Sequence, residues 1–169
     1  IGDIGIFIFE PLVQGAGGMK MYEAELLSEM IEICKSHGVI CIADEVMTGF
    51  GRTGTMFASD QLNVKPDIIC LSKGLTGGVM PLGLTACSKF IYDAFFSVSS
   101  DKTFFHGHSF TGNPLACAAA NASLDIFEKE NTIEKIKLIE ETHQRFAEKL
   151  RGKLIHWEDR KSTRLNSSH

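Results

Sequence analysis

Three short, almost wholly apolar runs, residues 4–9, 39–43 and 68–71, constrain this chain more than any other feature. Runs this brief and this uniformly apolar suit strands buried on both faces, the pattern of a parallel sheet. Between the first two, apolar residues recur at 26, 27, 30, 31 and 34, a helical stripe with Gly38 placed where a C-terminal cap belongs. Residues 82–87 predict a fourth strand. Asn113 followed by Pro114 predicts a helix start, a capping side chain with proline at the first helical position. The alanine-rich run at 116 and 118–120 lets that helix pack close to a neighbour, and an amphipathic helix is expected from about 132 to 150. Strands alternating with helices predict an α/β domain, a mostly parallel sheet with flanking helices.

In such a sheet, ligands bind beyond the carboxyl ends of the strands. Two of the apolar runs end there in charge, at Asp44 with Glu45 and at Ser72 with Lys73. Asp44 suits a turn or helix cap. It equally suits a partner for a buried cation such as a protonated pyridine nitrogen. Lys73 is either a solvated lysine at a strand end or an amine desolvated enough to form an imine with a carbonyl. Gly74, Gly77 and Gly78 leave room for a flat cofactor beside it. The interval from Asp44 to Lys73 is 29 residues, enough for a crossover that sets both at neighbouring strand ends.

A third element, residues 103–113, gathers hydroxyls, His106, His108 and two glycines just before the predicted helix. It suits either anion binding at a helix N-terminus or an ordinary capping loop. His106 and His108 have no thiol or carboxylate nearby, so no metal set is formed. A Gly-x-Ser-x-Gly nucleophile elbow is absent. Residues 49–54 look like a phosphate loop but lack its Lys-Ser/Thr ending, so a glycine-hinged loop with a structural Arg52 is expected.

Composition excludes several classes. The net charge of −4 argues against nucleic-acid and anionic-membrane partners, which need a basic surface. No apolar run approaches the roughly 20 residues of a membrane span. Five cysteines with no CxxC pair predict reduced core thiols and a cytoplasmic location. Residues 160–169 lack periodicity and are expected to be a non-native tail, and removing their three cations takes the net charge to −7. The expected organisation is an incomplete domain at 1–150, the start of a further region at 150–159, and that tail.

Taken together, residues 42–46 and 48–54, then 66–68 and 71–74, resemble the class III aminotransferases, and residues 10–15 resemble that family's active-site loop. The resemblance spans about residues 1–150. It implies the large domain of a fold-type I transferase that depends on pyridoxal 5′-phosphate (PLP), acting on a small-molecule amino donor and keto acceptor. By resemblance, Asp44 binds the pyridine nitrogen, and Lys73 carries the cofactor as a Schiff base and moves the substrate proton. The loop residues His108 and Ser109 bind the cofactor phosphate of the neighbouring subunit in a homodimer with shared active sites. At 108 the backbone is implied rather than the side chain. Gly107 contacts substrate.

Within the class, Met47 stands where many members have a glutamine facing the cofactor's phenolic oxygen. Met47 and residues 106–124 resemble the biotin-pathway members, which aminate 8-amino-7-oxononanoate with S-adenosyl-L-methionine named as donor. The alternatives are enzymes of ornithine, acetylornithine or 4-aminobutyrate, an inert truncated chain of the same fold, and a purely structural α/β domain. The structural domain requires Asp44, Lys73 and the 106–109 loop to coincide by accident.

Overall fold

The computed structural model describes residues 2–151 of the chain. The expected tail at 160–169, and all but the first two residues of the stretch expected at 150–159, lie outside the described residues.

Four strands form the main sheet: β1 (Ile6–Phe9), β4 (Ile40–Asp44), β5 (Ile68–Leu71) and β6 (Leu84–Cys87), in spatial order β1-β4-β5-β6. The pairs β1–β4 and β4–β5 are parallel, whereas β6 runs antiparallel to β5. The sheet is thus mostly parallel, as expected, with one antiparallel edge. A small hairpin, β2 (Val13–Gln14) with β3 (Lys20–Met21), follows β1 and had no clear signal in the sequence because each strand is two residues long.

Register decides which side chains meet. Phe7 pairs with Cys41, and Phe9 with Ala43, which in turn pairs with Ile69. Alternation along each strand puts all five on one face. Helix α1 (Ala24–Ser36) packs there through Leu27 and Ile31, in one cluster with Phe9, Cys41, Ala43, Ala58 and Leu62. Full burial of residues such as Leu27 and Ile31 contributes roughly 1.5–3 kcal/mol each. His37 closes α1 and Gly38 follows with φ 73, the left-handed position that favours glycine after a helix.

The opposite face departs from expectation. Ile6 and Ile8 are 57% and 62% exposed, and every residue of β6 is exposed. Strands buried on both faces were expected; among the described residues, helix cover is present on one face only. The thiols differ for the same reason. Cys41 is buried in the α1 cluster, where burial pushes its thiol up to about 11, but Cys87 on β6 is exposed.

The remaining helices are α2 (Lys89–Phe95), α3 (Pro114–Lys129) and α4 (Thr132–Leu150). At seven residues α2 is too short to carry a clear periodic signal. Helix α3 starts as expected: Asn113 Oδ1 accepts from the N–H of Leu115 and of Ala116. α4 occupies the expected span. The crossover from β4 to β5 contains no α-helix. It is a loop with one 3₁₀ turn, Ala58–Gln61, tied at its far end by Asp67. Asp67 takes the Cys41 N–H and the Lys35 ammonium on its two carboxylate oxygens, each at 2.9 Å.

Candidate active site

Asp44 ends β4 opposite Cys70 of β5. It shares its side of the strand with Ile42, so it belongs to the face away from α1. The side chain is half-buried. Its Oδ1 accepts the Val46 N–H at 3.1 Å, and Oδ2 makes no hydrogen bond among the described residues. The turn-residue and cation-partner readings of Asp44 are therefore compatible, one oxygen for each.

Glu45 points the other way and is fully buried. Its carboxylate accepts from Thr48 Oγ1 at 2.6 Å, Ala58 N at 3.1 Å and Ser59 N at 2.7 Å. Charge-assisted hydrogen bonds of this kind are stronger than neutral ones. They fasten the loop after Asp44 to the 3₁₀ turn. This anchor went unremarked in the sequence, although a second carboxylate directly after an apolar run was the available signal.

Lys73 begins a 3₁₀ turn, Lys73–Thr76, immediately beyond β5. Its φ is 45, in the left-handed region that a lysine adopts only under constraint. Such a residue costs about 1–3 kcal/mol and persists only where its surroundings over-determine it. Those surroundings are specific. Ser72 Oγ donates to Leu82 O at 2.7 Å and Thr76 Oγ1 to Met80 O at 2.6 Å. From α3, Ser123 Oγ donates to Gly74 O at 3.4 Å. Gly77 and Gly78 continue with φ of 61 and 82. The glycines therefore serve turn geometry here as well as leaving space.

The Lys73 side chain is exposed and makes no ion pair or hydrogen bond among the described residues. Of the two readings of Lys73, the solvated strand-end lysine is the one this chain alone presents. It opens onto a cleft of about 320 Å³, lined by Val46, Met47, Phe50, Arg52, Lys73, Ile136 and neighbouring residues. Ile136 and Ile139 bring α4 to this cleft, a contribution that amphipathic periodicity alone does not locate. Arg52 is exposed on the rim, and its Nε–H donates to Met47 O at 3.4 Å, a tie within the glycine-hinged loop. A Cβ added to Gly15 would lie 2.5 Å from Met47 Sδ, so the 10–15 segment closes directly onto Met47.

The 106–109 loop is placed apart. Residues 101–110 are all exposed and none lines the Lys73 cleft. The His108 N–H donates to Thr111 Oγ1 at 3.0 Å, and His108 Nδ1 accepts from Phe110 N at 3.1 Å. In this chain alone the His108 amide thus donates within its own loop. Ser109 and Gly107 remain open. A Cβ on Gly107 would meet nothing closer than Thr111 Oγ1 at 3.7 Å, so the chain's own packing does not require glycine there.

The Asp44 Oδ2 and the Lys73 amine, both without a partner among the described residues, stand at neighbouring strand ends. This donor set fits a flat aldehyde cofactor carrying a cationic ring nitrogen. Comparison with known proteins agrees. The aminotransferase class-III family profile matches residues 2–156. A curated relative from Synechococcus elongatus, adenosylmethionine-8-amino-7-oxononanoate aminotransferase, is 51% identical over 142 residues, 84% of this chain and 33% of the relative. The crystal structure of the enzyme of that name from Methanocaldococcus jannaschii is 47% identical with a TM-score of 0.72, over 77% of this chain and 31% of that one. An ornithine aminotransferase from Toxoplasma gondii, described with partial occupancy of PLP at its active site, is 33% identical with a TM-score of 0.76, over 91% and 34%. The chain spans about a third of the length of the curated relatives it matches. It belongs to the class III aminotransferase family, whose cofactor is PLP.

Proposed function

We propose that this chain carries the lysine and the ring-nitrogen carboxylate of a PLP-dependent transamination site. The full-length protein that contains it moves an amino group onto 8-amino-7-oxononanoate, a step of biotin biosynthesis. The observation that carries this reading is the pair of ungathered groups, Asp44 Oδ2 and the Lys73 amine, at neighbouring ends of β4 and β5.

Bound at this site, PLP supplies an electron sink for charge developing at the substrate carbon. Asp44 holds a proton on the ring nitrogen, because a carboxylate beside it favours the cationic form. Lys73 Nζ anchors the cofactor's carbonyl carbon. Its amine would also take and return the proton of the substrate carbon. The donor leaves as a carbonyl compound and the keto acceptor gains the amine. Val46, Met47, Phe50 and the α4 isoleucines line the cleft onto which Lys73 opens with apolar side chains.

Ser109, with the backbone at His108, holds the cofactor phosphate of the partner subunit in a cytoplasmic homodimer, and Gly107 faces substrate there. The exposure of this loop and its absence from the Lys73 cleft lining support such sharing. Met47 and the relatives of about 50% identity favour 8-amino-7-oxononanoate. The ornithine reading keeps a lesser claim through its 33% structural relative. Comparing kcat/KM for 8-amino-7-oxononanoate, ornithine and 4-aminobutyrate in the full-length protein tests the choice. At least about tenfold preference for 8-amino-7-oxononanoate is expected. An equal preference for ornithine would move the protein to the other substrate class.

A further inference from the structure

Two residues of the cleft, Phe50 and Lys73, hold left-handed backbone conformations with φ of 57 and 45, although neither is glycine. They are 23 positions apart and lie on different segments, yet they meet through Gly74. A Cβ added to Gly74 would fall 2.8 Å from Phe50 Cβ, 2.9 Å from Cδ2 and 3.0 Å from Cγ. The Phe50 side chain therefore occupies the space a side chain at 74 would need.

Phe50 is itself clamped. Gly49 N donates to Glu45 O at 2.9 Å, and a Cβ at Gly49 would crowd that same oxygen at 2.9 Å. Gly51 N donates to Met56 O at 3.2 Å, and a Cβ at Gly51 would strike Ile136 Cδ1 at 2.3 Å. The Phe57 ring braces Phe50 edge-on, with centroids 5.8 Å apart at 73°. Behind this, the Glu45 carboxylate ties the loop to the 3₁₀ turn. A rigid chain of contacts runs from buried Glu45 through Phe50 to the lysine turn.

We propose that Phe50 is a positioning residue: wedged on Gly74, it holds the Lys73 backbone in the left-handed region and so fixes where the Lys73 amine stands. The proposal rests on the functional reading above and adds a residue to it. Phe50 acts through Lys73 and takes no part in proton transfer. Its contribution is geometric, keeping Nζ within reach of one carbon and away from competing rotations of the backbone.

The test uses the full-length protein carrying this chain, with PLP bound, in wild-type, Phe50→Ala, Phe50→Leu and Gly74→Ala forms. The pH titration of the bound cofactor's visible absorbance reports the proton on the Lys73 nitrogen, and amide hydrogen exchange reports residues 72–77. Phe50→Ala should move the titration midpoint by about half a pH unit or more. It should speed exchange at 72–77 about tenfold while β4 and β5 stay protected. Phe50→Leu, which refills most of the wedge, should restore both. Gly74→Ala enters the same contact from the other side and should shift the midpoint even if Phe50→Ala fails to fold. An unmoved midpoint in every folded variant, or Phe50→Leu as altered as Phe50→Ala, overturns the proposal and leaves the functional reading intact. A wild-type protein with no Lys73-linked absorbance band overturns both.

Discussion

Asp44 and Cys70 are register partners in the parallel pair β4–β5, so the carboxylate lies one strand across from a residue three positions before Lys73. The two groups stand beyond neighbouring strand ends, Asp44 closing β4 in extended backbone and Lys73 opening a left-handed turn just past β5. On the proposed reading the charge of Asp44 should matter to chemistry and little to folding, since its one hydrogen bond among the described residues is a short-range turn contact to Val46.

Asp44→Asn should accordingly lower the transamination half-reaction rate about 10²–10³-fold, the scale for losing a preorganised electrostatic partner. The amide keeps an oxygen for Val46 N–H, so the melting temperature should hold within about 3 °C, the shift that roughly 1 kcal/mol produces in a domain of this size. Stopped-flow absorbance and calorimetry on the same preparation separate the two effects. Near-wild-type rates with cofactor bound would make Asp44 a turn residue only.

Ser109 should work in the partner's site. Ser109→Ala should weaken PLP retention by the loss of one hydrogen bond to a charged group, about 1.5–3 kcal/mol. Mixing Ser109→Ala subunits with Lys73→Ala subunits should return activity, because one site of each hybrid dimer then carries neither lesion. If Ser109 served its own subunit, every site would carry one lesion and mixing would recover nothing.

Much of this was legible in the chain itself. The apolar runs gave three strands with their carboxyl-end charges, Asn113 with Pro114 gave the start of α3, and the stripe from 26 to 34 gave α1. What escaped has physical causes. Local pattern carries no information on the antiparallel direction of β6 or on the absence of helix cover over Ile6 and Ile8, since both depend on distant contacts. The left-handed backbone of Lys73 is imposed by Ser72, Thr76, Ser123 and Phe50, and no propensity of lysine announces it. Glu45 and Asp44 are adjacent carboxylates with opposite fates because alternation turns one inward and leaves the other on the open face.

Tyr22 offers a check on the hairpin that closes onto Met47. Its hydroxyl donates to Glu10 O, and burial, with a lesser push from the Glu10 charge, raises the phenol to about 12 from its ordinary 10.0. Below pH 10 the phenol is protonated in folded and unfolded chains alike. Above it the unfolded chain releases its proton first, so stability should fall between pH 10 and about 12. Tyr22→Phe should remove that part of the decline, and the chain's two tyrosines allow assignment by absorbance titration against Tyr92. A Tyr22 midpoint near 10 would mean that the hydroxyl is not held against Glu10.

The central claim is that Lys73 is the covalent anchor of the cofactor. Borohydride reduction of the full-length protein with PLP bound, followed by peptide mass mapping, tests it most directly. The account predicts a pyridoxyl group on Lys73. A label on Lys20, Lys65 or Lys89, or an unmodified Lys73, would contradict it.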